Sequence, residues 1–164
     1  MTDPASAVAS DTPAVYPLEY ELRVRWAEVD AQGVVFNGHY LLYTDICCTE
    51  YFRAAGIPQW SSGELHGPGG PNPEALDYYV VRASVEYRAP ARFDDLLTLR
   101  GRMARLGNSS FTFECRMERG DQHLCTAETV SVNAHAGVSR PLPLSFRRAV
   151  EEYESGKPET RRSI

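Results

Sequence analysis

The stretch that most constrains this chain runs from Trp26 to Phe52, WAEVDAQGVVFNGHYLLYTDICCTEYF. It leaves a strand, passes through a turn holding Asp30 and Gly33, and enters a helix that begins near Asn37 or Gly38. Tyr40, Leu41, Ile46, Cys47, Cys48, Tyr51 and Phe52 spread over a wide arc of that helix. A surface helix normally confines its apolar residues to one stripe, so this one needs a sheet on one side and further cover, such as another subunit, elsewhere. Gly56 supplies a natural stop and Pro58 prevents continuation. The turn places a carboxylate beside the positive end of a helix dipole, an arrangement that suits anion chemistry.

The remaining segments supply the sheet. Tyr20, Leu22, Val24 and Trp26 alternate with Glu19, Glu21, Arg23 and Arg25, the period-two pattern of a strand with one buried face. Four more strands are expected after residue 80. Val81, Ala83, Val85 and Tyr87 lie in phase, then Leu97, Leu99 and Met103, then Phe111, Phe113, Cys115 and Met117, and a long last strand runs from His123 to Ala136. Pro90 with Asp94–Asp95, Leu106–Gly107–Asn108, and Gly120–Asp121 mark the turns between them. Ser145–Tyr153 reads as an amphipathic terminal helix through Phe146, Ala149, Val150 and Tyr153. Residues 59–77 form a long Gly/Pro-rich loop, of a length often used as a lid or subunit contact. The expected organisation is a flexible tail over 1–17, one domain over 18–155 and a frayed end over 156–164. The order of elements predicts an α+β fold, one long helix across a five-stranded antiparallel meander, with a short C-terminal helix. Its open edges and one uncovered face favour an oligomer.

Composition narrows the function. A net charge of −5 over 164 residues argues against non-specific binding to nucleic acid or anionic membranes. No apolar run approaches the ~18–20 residues of a membrane span, and no basic-then-apolar leader opens the chain, so the cytoplasm is the expected location. Cys47, Cys48, Cys115 and Cys125 lack metal-ligand spacing and read as reduced packing residues. His66, His123 and His135 suggest no metal site either, and none is expected. By residue type alone, Asp30 is either a turn or capping acid or a reactive carboxylate, and Gly33 is a turn glycine in both cases.

Residues 30–43, DAQGVVFNGHYLLY, resemble the signature of 4-hydroxybenzoyl-CoA thioesterase-type hotdog proteins: an aspartate, a glycine three positions on, an apolar pair, an aromatic, and a helix containing tyrosine. Residues 85–95, VEYRAPARFDD, resemble that family's tyrosine strand, proline turn and acid, and the likeness extends over residues 18–150. The resemblance implies a hotdog fold, dimers or a homotetramer with sites at the subunit interface, and hydrolysis of an acyl-CoA thioester to a free acid and coenzyme A. It implies Asp30 as nucleophile or general base. It also implies the backbone N–H of Asn37, with that of Gly38 beside it, as oxyanion donor, since such groups at a helix start are unpaired. Gly33, Val35, Phe36 and Tyr40 would border the substrate. Arg105, Asn108, Ser109 and Ser110 on the third-to-fourth-strand hairpin, with Arg88 and Arg92 at the proline turn, would meet the coenzyme A phosphates or pantetheine. No cofactor is expected beyond coenzyme A as part of the substrate. An acyl-carrier-protein thioester is an alternative donor. Two other readings are a non-catalytic acyl-thioester-binding protein and a hydratase or dehydratase. The latter usually pairs a histidine with an acid, and Asp30 has no convincing histidine partner. His39, one residue from Tyr40 and so on a different helix face, is the weaker candidate of the two for a direct role.

Overall fold

The structure, a computed structural model, describes residues 15–58, 76–156 and 159–162. Strand β1 (Leu18–Arg23) leads through a 3-10 turn (Trp26–Glu28) and a small hairpin into α1 (Asn37–Ala54). The sheet continues with β2 (Tyr78–Tyr87), β3 (Leu96–Leu106), β4 (Ser110–Arg119), β5 (Gln122–His135) and the two-residue β6 (Val138–Ser139). Helix α2 (Leu144–Glu154) and β7 (Glu159–Arg162) close the order. The architecture is the hotdog fold, a curved antiparallel sheet around one long helix.

The core lies between α1 and the inner face of β3, β4 and β5. Tyr43, Cys47 and Tyr51 on α1 are fully buried against Leu97, Leu99, Phe113 and Met117. Tyr51 meets Phe113 edge-on at 5.4 Å, and Phe52 meets Phe146 of α2 at 5.8 Å. Gly101 lets the helix come this close: a Cβ there would stand 2.8 Å from both Cys47 Sγ and Phe113 Cζ. All four cysteines are free and buried, in keeping with packing roles. The outer face carries charge ladders instead, with Arg102 on Glu114 at 2.9 Å and Arg100 bridging Glu19 and Glu118.

Four expectations change. The strands do not form one meander: the sheet order is β2-β5-β4-β3-β1-β7, with β6 against β5. β3, β4 and β5 are consecutive, but residues 88–95 carry the chain past the β4–β5 turn, across three strand spacings of about 14 Å. Arg88 and Ala89 donate backbone N–H groups to Leu124 O on that path. β2 is therefore an edge strand, and Val81 and Tyr87, expected on a buried face, are 62% and 52% exposed. Trp26 leaves the buried phase of β1, because the chain turns into the 3-10 segment after Arg25 and lifts its ring to 73% exposure against Phe93. Finally, Glu159–Arg162, expected as part of a frayed end, pairs in parallel with Leu18–Glu21, so two short strands join the five expected. The expected tail over 1–14 and the lid-like loop over 59–75 lie outside the described residues.

This topology gathers one end of the molecule. The C-terminal end of β1, the N-terminus of α1, the β2–β3 crossing and the β4–β5 turn all sit there, and Arg119 ties the last two together through Asp95 at 2.5 Å.

Candidate active site

At that end, residues 28–36 form a tight hairpin. Phe36 N donates to Glu28 O at 2.9 Å, Val29 pairs with Val35, and Asp30 N donates to Val34 O at 2.9 Å. Gly33 N returns to Asp30 O at 2.9 Å, and Gly33 takes φ +73, a conformation that costs glycine little. The Asp30 side chain accepts Gln32 N at 2.8 Å, and the residue is half-buried. Asp30 thus rides at the hairpin tip with one carboxylate oxygen engaged in its own turn.

The hairpin feeds directly into α1, which starts at Asn37 with Phe36 as its N-cap. No side chain caps this end and no acid occupies its first turn. The first N–H groups of a helix have no partner within it, and among the described residues those of Asn37 and Gly38 meet no acceptor. An 18-residue helix therefore presents its positive end unquenched.

Two tyrosines fix the geometry around it. Tyr87 of β2 donates its hydroxyl to Asn37 O at 3.0 Å, and Tyr40 accepts the backbone N–H of Ala91 at 3.0 Å. Their rings meet edge-on at 5.1 Å. Val35 N donates to Ala91 O at 2.9 Å, and Val34 bridges Arg92, so hairpin, helix and proline turn are joined. Between them opens a cleft of about 390 Å³ lined by Val35, Asn37, Tyr40, Tyr87, Ala89 and Pro90, with Arg88 at its edge. Burial raises the hydroxyls of Tyr40 and Tyr87 above the ordinary tyrosine value, so both stay protonated hydrogen-bonding groups.

Behind the hairpin lies a group that the sequence did not single out. Glu28 is 2% exposed, and its carboxylate accepts Arg25 N at 2.7 Å, Arg25 Nε at 2.7 Å and the Tyr43 hydroxyl at 2.7 Å. Burial alone would raise this acid, but the donors from Arg25 and Tyr43 hold it below the usual carboxylate range. Burial and the adjacent anion push the Tyr43 hydroxyl well up in turn. In the sequence Glu28 lies past Trp26, where the alternation of β1 ends, so no periodicity places it inside. Tyr87 was legible only as an apolar strand residue.

The expected site residues divide into two groups. Asp30, Gly33, Val35, Phe36, Asn37, Gly38, Tyr40, Arg88 and Arg92 meet at this end. Arg88 pairs with Glu86 at 3.3 Å, and Arg92 donates its backbone N–H to Asp95 at 2.8 Å. Arg105, Asn108, Ser109 and Ser110 lie at the other end of β3 and β4, roughly 30 Å along the strands. There the hairpin is held by Leu142 N to Asn108 O and Asn133 N to Ser109 O, both at 2.8 Å, and by Arg147 on Gly107 O. Within one chain these four residues cannot serve the cleft. Among the described residues no cluster of three or more His, Cys, Asp or Glu side chains converges as a metal site would require, and no helix is long and apolar enough to cross a membrane.

The sheet wrapped around one long helix is a hotdog architecture, and comparison with known proteins gives its class, the thioester hydrolases. The chain belongs to the thioesterase superfamily, whose family model matches residues 32–126. It is 27% identical over 132 residues to the acyl-CoA thioesterase YbgC of Haemophilus influenzae, spanning 80% of this chain and 90% of that protein. The crystal structure of a probable thioesterase from Bartonella henselae aligns with TM-score 0.62 and 27% identity, over 76% of this chain and 96% of that one. A 4-hydroxybenzoyl CoA thioesterase variant, solved with 4-hydroxybenzoyl CoA bound, aligns with TM-score 0.70 over 80% of this chain and 96% of its own. At 19% identity the last is a likeness of fold.

Proposed function

We propose that the chain hydrolyses an acyl-coenzyme A thioester, with Asp30 as the reacting carboxylate and the N–H of Asn37, assisted by that of Gly38, as the oxyanion site. The observation that carries this reading is the unquenched start of α1 beside the Asp30 hairpin. Donors fixed in advance at the place where negative charge develops stabilise a tetrahedral intermediate without reorganisation. Asp30 then acts in one of two balanced ways. As nucleophile it attacks the thioester carbon, expels coenzyme A thiolate and leaves a mixed anhydride that water cleaves. As general base it takes a proton from water, whose oxygen attacks the same carbon, and the proton passes to the departing thiolate. Arg88 and Arg92, at the cleft edge and the crossing turn, suit the coenzyme A phosphates.

The second group of expected residues fits this function through a second copy. β2 is an uncovered edge with Tyr79, Val80 and Val81 more than half exposed, and a bare apolar edge favours pairing. Two β2 strands paired antiparallel about a two-fold axis bring the Tyr78 end of one beside the Tyr87 end of the other. Tyr78 is opposite Asn133 of β5, and neighbouring Val132 is opposite Ser110 of β4, so the Tyr78 end is also the Ser110 end. The pairing therefore carries Arg105, Asn108, Ser109 and Ser110 of the second copy towards the cleft. This supports a dimer as the active unit.

The test is thiol release from short, long and aromatic acyl-CoAs, with matching acyl-carrier-protein thioesters alongside. Turnover of at least one acyl-CoA is expected. Binding without turnover of any member would make this a thioester-binding protein.

A further inference from the structure

We propose that Glu28 is a positioning residue of the hydrolytic site, its buried carboxylate pinning the Asp30 hairpin to the second turn of α1. The inference rests on the reading of Asp30 and the α1 N-terminus given above. Glu28 itself touches no reacting atom: it is 2% exposed, three donors occupy its two oxygens, and it does not line the cleft.

The argument starts from its burial. A carboxylate out of water persists only when paired and hydrogen-bonded, and an apolar side chain of similar volume would fill the space without that demand. An apolar side chain would, however, hold no direction. Glu28 takes one donor pair from Arg25, before the hairpin, and one from Tyr43, on the helix. Its side chain thus joins the hairpin root to α1 from both sides. The same residue's carbonyl accepts Phe36 N, and Phe36 is the N-cap of α1. Asp30 lies only two residues along, about 7 Å of extended chain. One residue therefore sets both parts of the site: where the Asp30 carboxylate stands and where the first free N–H of the helix points. Geometry of this kind matters to rate rather than to affinity, and a misplacement of about 1 Å costs on the order of 10²-fold.

Glu28→Gln keeps the length and one acceptor for Tyr43 but sets an amide N–H₂ against the donors of Arg25. Tyr43→Phe removes one donor and keeps the ring. The experiment measures kcat and KM for both variants and their combination on the best acyl-CoA. Rates are expressed per folded molecule from near-UV circular dichroism at the assay temperature. Expected are a fall in kcat of at least about tenfold for Glu28→Gln with KM within about twofold, a smaller fall for Tyr43→Phe, and a double variant no slower than Glu28→Gln. A purely structural role would lower the melting temperature and leave kcat per folded molecule unchanged, and that result overturns the proposal. A raised KM with unchanged kcat overturns it as well. If Glu28→Gln does not fold, Tyr43→Phe decides by the same criterion. Asp30→Asn, assayed beside them, separates the two claims. Activity surviving in Asp30→Asn removes the underlying reading, whereas a dead Asp30→Asn with fully active Glu28→Gln removes only the positioning role.

Discussion

Tyr40 shows how single side chains hold this site together. It is 2% exposed, and its hydroxyl oxygen accepts the Ala91 N–H of the β2–β3 crossing, 51 residues along the chain. Tyr40→Phe leaves that buried N–H without a partner, so a loss of about 1–3 kcal/mol is expected in denaturant unfolding. Glu28 gives a pH signature. Its folded pKa is depressed, so the stability it contributes is complete above the ordinary carboxylate value of about 4.3 and is lost as pH falls through the lower folded value. Melting temperatures of wild type and Glu28→Gln should therefore differ most near neutrality and converge in acid; a gap constant across pH 3–7 would contradict this. At this scale the sequence was uneven. The turn at Asp30 and Gly33 and the helix start at Asn37 were legible because a turn glycine and a helix start have local signatures, while the roles expected of Asp30 and Tyr40 came from the family resemblance alone. Glu28 was not, since nothing local distinguishes a buried acid with three donors from a solvated one.

Among the elements, α1 and the long strands were legible from periodicity, which reports burial of one face whatever the neighbour. Pairing is a different property. β2 alternates like a central strand yet lies at an edge, because alternation cannot say which strand stands beside it. β7 has no apolar alternation to read; it joins through backbone pairing with β1, which the residues ETRR do not announce. Helix packing also turns on one small residue. Gly101→Ala would place a Cβ 2.8 Å from Cys47 Sγ and Phe113 Cζ, so α1 must move off the sheet at a cost of about 1–3 kcal/mol. Chemical denaturation measures that cost, and an unchanged midpoint would show that the core yields more easily than its packing indicates.

For the whole molecule, the two groups of expected site residues stand at opposite ends of one chain, and the proposed β2–β2 pairing is what would reunite them. Charge on the β2 edge tests that assembly, since edge lysines block strand pairing. Val80→Lys with Val81→Lys should give a folded monomer by light scattering, with acyl-CoA hydrolysis lost in parallel. A monomer that keeps full activity would place the whole site within one chain.

The central claim is that Asp30, held beside the open end of α1, performs the hydrolysis. Thiol release by Asp30→Asn beside wild type, across short, long and aromatic acyl-CoAs, tests it most directly. A folded variant slower by at least about 10²-fold is the predicted result. A variant that matches wild type would reduce Asp30 to the acid of its own turn and move the chemistry elsewhere.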